Sequence, residues 1–379
     1  MDDLDLEDLH ESVRSTARAY GSAENGVRIA HRGGAPAGSL TARVRTREAK
    51  EEQETRLLAD GATRAHGAGE RVLDEDADPY ATCFEVDVSR IRTATAFRRM
   101  AGKCQVFVAP KNDMLRNRLT HVIEVAQVAT TVADALGLNV ALTEAIALGH
   151  DCGHGPGGHP AEEAFSTFIP GGFDHAVWGA DVVLTPLNLC AETLDGIRNH
   201  SWKRPSPATP EGAVVAWSDR VNYVCHDWDD ALRAGVVAEG TLPGIVAAKA
   251  GTTQHEQLTY FTRELITASA RHGTICMEQS SAEVLDAFRS NNFERIYLRP
   301  ASLEQAEKVV RLLASLVEFL IEHPANIPDV FTGTLAFPES PEDAAHIAVS
   351  YVASMTDRYA FTTAQDLLGL PDSALPRSV

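Results

Sequence analysis

Residues 119–136 place Val122, Val125, Ala126, Ala129, Val132, Ala133 and Leu136 at i, i+3, i+4, i+7 spacing, and Gly137 follows as a stop. That period belongs to a helix with one apolar face. Residues 141–150 repeat it with Leu142, Ala145 and Ile146. Residues 211–234 do so with Val214, Val215, Val221, Val224, Trp228 and Leu232, ending at Gly235. Residues 301–322 and 341–358 are also amphipathic. Strand-like alternation is scarce and no internal repeat is evident. The expectation is an all-α globule with minor β and long loops. Residues 152–175 and 200–210 read as loops too rich in Gly and Pro for helix. The 323–342 connection carries Pro324, Pro328, Pro338 and Pro341.

The 379 residues are 44% hydrophobic and 23% charged, ordinary for a globular protein with a sizeable core. With 34 basic and 53 acidic residues the net charge is −19. That excludes broad electrostatic binding to nucleic acid or an anionic membrane and leaves room for a local basic pocket. Six scattered cysteines with no C-x-x-C pair argue against a disulfide framework or zinc ribbon and suit a reducing cytoplasm. The start Met1-Asp2-Asp3-Leu4-Asp5 is acidic where a secretory leader is basic, and no run approaches 18 apolar residues. Residues 1–79, rich in Arg, Glu, Ala and Gly, read as a partly disordered arm with the linker-like Arg32–Gly38 and a charged surface helix near 46–60. Residues 80–240 read as the catalytic core, and 241–379 as a helical region that packs on it and completes the site.

Seven of the 14 histidines lie between residues 121 and 226, densest in Gly149-His150-Asp151-Cys152-Gly153-His154-Gly155-Pro156-Gly157-Gly158-His159. Histidine titrates near neutrality and is the commonest metal ligand, and glycine lets backbone approach a ligand closely. Singly, His121 reads as a helix-start residue, Asp219 and Asp227 as solvated face residues, His154 and His159 as loop polars, and Arg98 and Arg99 as structural. Cys152 and Cys225 read as core fillers. Together, His121, His150, Asp151 and Asp219 offer two imidazoles and two carboxylates. That mixed set suits Mn²⁺, Fe²⁺, Co²⁺, Mg²⁺ or Zn²⁺. Asp219, Tyr223 and Asp227, at i, i+4 and i+8, share one helix face.

The ordered series resembles the HD-domain phosphohydrolases, and more narrowly the deoxyguanosine triphosphate triphosphohydrolases with the broader dNTP triphosphohydrolases. The resemblance rests on Ala96–Phe107, on Arg116-Asn117-Arg118-Leu119-Thr120-His121-Val122-Ile123-Glu124-Val125-Ala126-Gln127, and on Gly149-His150-Asp151 through Ala164. Gly172-Phe173-Asp174-His175, Leu194–His200, the Asp219 helix and Tyr351–Tyr359 follow in family order. Gly155 and Gly157 replace a proline and a bulky residue of the family pattern, Pro160 and Ala176 also differ, and Ser89–Thr93 lacks a usual polar residue. These departures touch the loop near the histidines and the base side of the pocket.

The resemblance implies a metal-dependent dNTP triphosphohydrolase, acting on dGTP or several dNTPs to give deoxynucleoside and tripolyphosphate. His121, His150, Asp151 and Asp219 would hold the divalent metal. The general acid would be among His154, His159 and His175, with Glu162 relaying or orienting. Arg118, Arg220 and Tyr223 would contact phosphates, Gln105 and Asp227 the sugar 3′-hydroxyl, and Tyr351 would be a further substrate-binding residue. A homo-oligomer, tetrameric or hexameric, with a possible allosteric nucleotide, is also implied. The same ligands serve HD phosphohydrolases acting on nucleoside monophosphates, and an HD scaffold can also act as a nucleotide sensor without turnover.

Overall fold

The computed structural model describes residues 22–24, 27–29, 41–110, 112–332 and 340–377. The chain forms two compact units, residues 1–45 and 46–379. In the first, β1 (Ser22–Glu24) pairs antiparallel with β2 (Val27–Ile29), Ser22 opposite Ile29. The Arg32–Gly38 linker and, with it, residues 1–21, 25–26 and 30–40 of the stretch expected to be partly disordered lie outside the described residues.

The second unit is helical. Its helices of seven residues or more are α1 (Arg47–Leu57), α2 (Cys83–Thr93), α3 (Arg118–Leu136), α4 (Val140–Gly149), α5 (Pro160–Ser166), α6 (Ala191–Asn199) and α7 (Pro210–Arg233). They continue as α8 (Gln254–His272), α9 (Gln279–Asn292), α10 (Pro300–Glu322), α11 (Pro341–Ser354) and α12 (Asp357–Leu368). The all-α expectation holds. Capping residues start many of them: Thr82 and Glu85 close a capping box on α2, as do Thr253 and Glu256 on α8. No helix among the described residues is long and apolar enough to cross a membrane.

Proline accounts for one departure from the expected pattern. Pro160 occupies the first turn of α5, so part of the expected 152–175 loop is helix, because the first turn has no use for an N–H. The stretch expected as one helix over 341–358 breaks at Met355, and Thr356 caps α12 by accepting from the Tyr359 amide at 3.4 Å. Thr356 is extended at φ −80°, ψ 160°, a cap rather than a helical residue.

Two hydrophobic clusters fill the unit. The first gathers Val122, Val125, Ala129, Leu142, Ile146, Ile197, Val221 and Val224 with Phe261 and Phe288, joining α2–α4 and α6–α9. The second gathers Ala161, Phe165, Phe173 and Trp178 with Leu313, Leu316, Val352 and Phe361, joining α5 and α10–α12. Residues 46–79 belong to this second unit, where the reading above ended the arm at 79. Ala62 and Ala65 enter the first cluster, Thr63 bonds the Glu211 carboxylate through its amide (3.0 Å) and hydroxyl (2.7 Å), and buried Arg71 pairs with Asp87 at 2.6 Å.

Candidate metal centre

Asn117 starts α3 by accepting from the Thr120 amide at 3.0 Å, and the Thr120 hydroxyl meets the Asn117 amide in return. Arg118 and His121, three apart, then lie on one face and are both buried. His150 caps the C-terminus of α4, with Asp151 directly after it. The His150 Nδ1–H donates to the Ala147 carbonyl at 2.7 Å, which leaves Nε2 a bare lone pair. Asp219 projects from the middle of α7. The four side chains expected to share an ion come together. Asp219 Oδ1 lies 3.1 Å from His121 Nε2 and 3.7 Å from His150 Nε2. Asp151 Oδ1 lies 3.6 Å from His150 Nε2, and its Oδ2 lies 3.9 Å from His121 Nε2.

The electrostatics keep both carboxylates charged. Burial works to raise Asp219, but the His121 hydrogen bond and the imidazoles of His150 and His121 hold it at about 2. Burial likewise opposes ionisation of Asp151, and Arg118, His150 and His154 outweigh it, so its carboxyl stays well below the usual range. A divalent metal fits these residues. Nε2 of His150 is buried and accepts no hydrogen bond among the described residues, while neighbouring carboxylate oxygens face it.

A second group of histidines lies against the first. Residues 153–158 press backbone against backbone: a Cβ on Gly153 would stand 2.1 Å from the His175 carbonyl oxygen. Gly158, at φ +76°, passes close to Arg118, whose Nη2 would be 3.1 Å from its Cβ. The loop carries His154, whose Nε2 lies 3.2 Å from Asp151 Oδ1 and whose ring stacks on His175 with centroids 3.7 Å apart. Burial, then Arg118 and His175, push the His154 imidazole well below its ordinary pKa. Glu162 of α5 accepts a hydrogen bond from His175 Nδ1 and an ion pair from Lys203 at 3.1 Å. His159 lies 4.9 Å from His154, centroid to centroid, and is exposed, whereas His154 and His175 are buried.

Comparison with known proteins supplies the family. The HD domain model matches residues 118–223, and the phosphohydrolase-associated domain model matches residues 275–366. The chain is 37% identical over 323 residues to the deoxyguanosinetriphosphate triphosphohydrolase-like protein of Caldanaerobacter subterraneus subsp. tengcongensis, covering 84% of this chain and 94% of the relative. It is 36% identical to the protein of the same description from Clostridium perfringens strain 13, covering 75% and 86%, and 34% identical to that of Desulfatibacillum aliphaticivorans, covering 85% and 97%. The chain belongs to the deoxyguanosinetriphosphate triphosphohydrolase-like family of HD-domain phosphohydrolases. It is a hydrolase of phosphoric ester bonds.

In this HD phosphohydrolase, Arg118 joins the centre directly. Its Nη1 donates to Asp151 Oδ2 at 2.6 Å, while Nε and Nη2 have no hydrogen-bond partner among the described residues. The other expected contacts bond elsewhere. The Arg220 guanidinium stacks on Trp202 at 3.3 Å, and the Tyr223 hydroxyl accepts from Arg289 at 2.9 Å. Asp227 is held by Arg116 and by the Tyr297 hydroxyl at 2.6 Å, so both of its oxygens are engaged. Tyr351 pairs with Tyr359, hydroxyl to hydroxyl, at 3.0 Å. Gln105 is half-buried, its Oε1 without a partner among the described residues.

Sequence reasoning missed two groups of the HD centre. His200 caps α6, donates from Nδ1 to the Ile197 carbonyl at 2.8 Å, and turns Nε2 towards His150 and Asp151. Its only sequence signal was its place at the end of Leu194–His200. Lys103 is fully enclosed. Its ammonium donates to the carbonyls of His154 and of Ala353 (2.8 Å for the latter), tying the glycine loop to α11, and desolvation pushes it down to about 7.

Proposed function

We propose that this chain is a metal-dependent dNTP triphosphohydrolase that adds water across the bond between the 5′ oxygen and the α-phosphorus, releasing deoxynucleoside and tripolyphosphate. The observation that carries the reading is the gathering of His121, His150, Asp151 and Asp219 around one small volume with Arg118 beside it. A divalent ion held there supplies Lewis acidity to a phosphate oxygen and lowers the pKa of a bound water towards about 7. Arg118 is a buried fork with spare N–H donors, the form of cation that grips phosphate oxygens at two points. Its burial makes that grip local and independent of the −19 net charge.

The leaving 5′ oxygen needs a proton as the bond to phosphorus breaks. The proton donor is placed in the cluster of His154, His159 and His175, of which His159 has the most solvent access; desolvation, then His175 and Arg118, hold its ring down at about 4, so it needs the negative charge of a bound polyphosphate to carry the proton. His175 and Glu162 form a positioning pair behind it, since the carboxylate fixes which ring nitrogen of His175 carries hydrogen. Incubating the purified chain with each dNTP and Mn²⁺, then separating products by chromatography, tests the reading. Deoxynucleoside with tripolyphosphate is expected. Orthophosphate from a nucleoside monophosphate, with no tripolyphosphate from any dNTP, overturns it in favour of a different phosphoester. Binding of dNTP without turnover overturns it in favour of a sensor.

A further inference from the structure

Two thiols meet beneath the segment upstream of α2. Cys83 is the first residue of α2, and Cys190 is the residue from which α6 starts. Residues 66–71 lie across both helix starts. The Gly69 amide turns back to the His66 carbonyl at 2.9 Å, the Glu70 carbonyl accepts from the Ala191 amide at 2.8 Å, and Arg71 Nη2 donates to the Cys83 carbonyl at 3.0 Å. Gly69, at φ +84°, presses on the pair: a Cβ there would stand 2.4 Å from Cys190 Sγ and 3.3 Å from Cys83 Sγ. Both sulfurs therefore crowd one point, and each thiol is the other's hydrogen-bond partner.

The pair is asymmetric. Cys190 is sealed, whereas Cys83 lines a cavity of about 160 Å³ with Gly67, Ala68, Arg71, Val86 and Arg90. One water needs roughly 10–15 Å³ of such space, so a peroxide fits. The hydrogen bond from Cys190 favours the Cys83 thiolate against the cost of burial, and the His66 backbone and Arg71 add to it, so the Cys83 thiol lies below its ordinary pKa. The same bond, with burial, pushes Cys190 up. Desolvation raises each of the other four thiols, Cys104, Cys152, Cys225 and Cys276. A thiol at a helix N-terminus beside a guanidinium is the reactive kind of cysteine, and Cys83 alone of the six has that setting.

We propose that Cys83 and Cys190 form an oxidation site that closes reversibly to a disulfide when a hydroperoxide enters the cavity. The Cys83 thiolate attacks the terminal peroxide oxygen. An S–O bond forms as the O–O bond breaks, and the departing oxygen takes the proton that the thiol gave up and leaves as water or an alcohol. Cys190 then attacks the Cys83 sulfur. The S–S bond forms as the S–O bond breaks, and hydroxide leaves with the Cys190 proton as water. The two sulfurs give up two electrons and the peroxide accepts them, so no further reactant is consumed. The bridge staples the start of α2 to the start of α6, beneath the segment that brings Arg71 to Asp87.

Peptide mapping tests this. The full chain is reduced, desalted, exposed to rising hydrogen peroxide, alkylated under denaturing conditions and digested without reductant. A peptide joining Cys83 to Cys190 is expected at the lowest effective dose, before half-buried Cys276 is oxidised, and dithiothreitol should release it. In Cys190→Ser, dimedone should trap a sulfenic acid on Cys83, whereas Cys83→Ser should leave Cys190 reduced at that dose. The oxidised wild type should melt several degrees above the reduced form, a shift absent from Cys190→Ser. Where a serine variant fails to fold, the wild-type map decides alone. Failure of the link to appear at any dose overturns the site. So does oxidation of another thiol ahead of Cys83, or a trap on Cys190 instead of Cys83. A linked chain with an unchanged melting temperature overturns the staple.

Discussion

His121 and Asp219 hang on long helices of the first hydrophobic cluster and His150 and Asp151 close the end of α4 in the same cluster, whereas His154, His159 and His175 ride on a glycine loop and short helices seated on the second. The two halves touch through Asp151 and His154, 3.2 Å apart. In the first half, regular helix geometry sets the donor positions, so side chains far apart in sequence arrive preorganised. In the second, position depends on backbone crowding at Gly153 and on how α5 packs against α10. The difference teaches that binding of the ion and delivery of the proton draw their stability from separate sources, and that each can be damaged alone.

The largest effect is expected from Asp219→Ala. Turnover should fall by about 10³-fold or more, with bound metal lost and the circular dichroism spectrum unchanged. Full activity in that variant would detach the helical half from the chemistry. Phe165→Ala attacks the other half by opening a cavity in the second cluster beneath the glycine loop, where a Cβ on Gly155 would lie 2.6 Å from the Phe165 ring. A loss of about 3–5 kcal/mol in denaturant unfolding is expected, with metal affinity retained by the folded fraction. Loss of metal in the folded fraction would break the comparison. Glu162→Gln should lower kcat by about 10²-fold while KM and metal content hold, because it disturbs His175 without touching His121, His150, Asp151 or Asp219.

The smallest effect concerns pH. Burial, with neighbouring His150 and His175 reinforcing it, pushes His200 down to about 3, and His154 also lies well below its ordinary value. The unfolded chain therefore binds more protons than the folded one from about pH 6.5 downward. This stability is complete above 6.5 and is lost as pH falls towards 3, with a slope of about 1.4 kcal/mol per pH unit for each group. Melting curves of chelator-stripped protein between pH 7 and 4 should show it, and a flat melting temperature would show that these rings are charged when folded.

Helices with an unbroken apolar face were legible in the sequence to within a residue or two. Gly137 stops α3 in a left-handed conformation at φ 68°, and the Val122–Ala133 stripe is buried as its period requires. The break at Met355 was not legible, because apolar residues continue at helical spacing on both sides and only Thr356 marks it. The ligand series was legible because each member kept its place in a recognisable order. His200 was not, because its meaning depends on where the end of α6 meets α4 and the His175 turn. The bonds that engage Asp227 and Tyr223 come from Arg116, Tyr297 and Arg289, partners distant in the chain that helical spacing does not reveal.

Asp87 is sealed in the interior, with one oxygen on Arg71 and the other accepting from the Cys190 amide at 2.9 Å and the Thr193 hydroxyl at 2.7 Å. Among the described residues its only close counter-ion thus comes from the segment upstream of residue 80. Trimming the polypeptide at the apparent end of the arm would strand a negative charge in a dry interior, a penalty of about 3–5 kcal/mol for a buried pair broken on one side. A shortened protein intended to simplify the molecule would be better begun at Thr46, where the compact body itself begins.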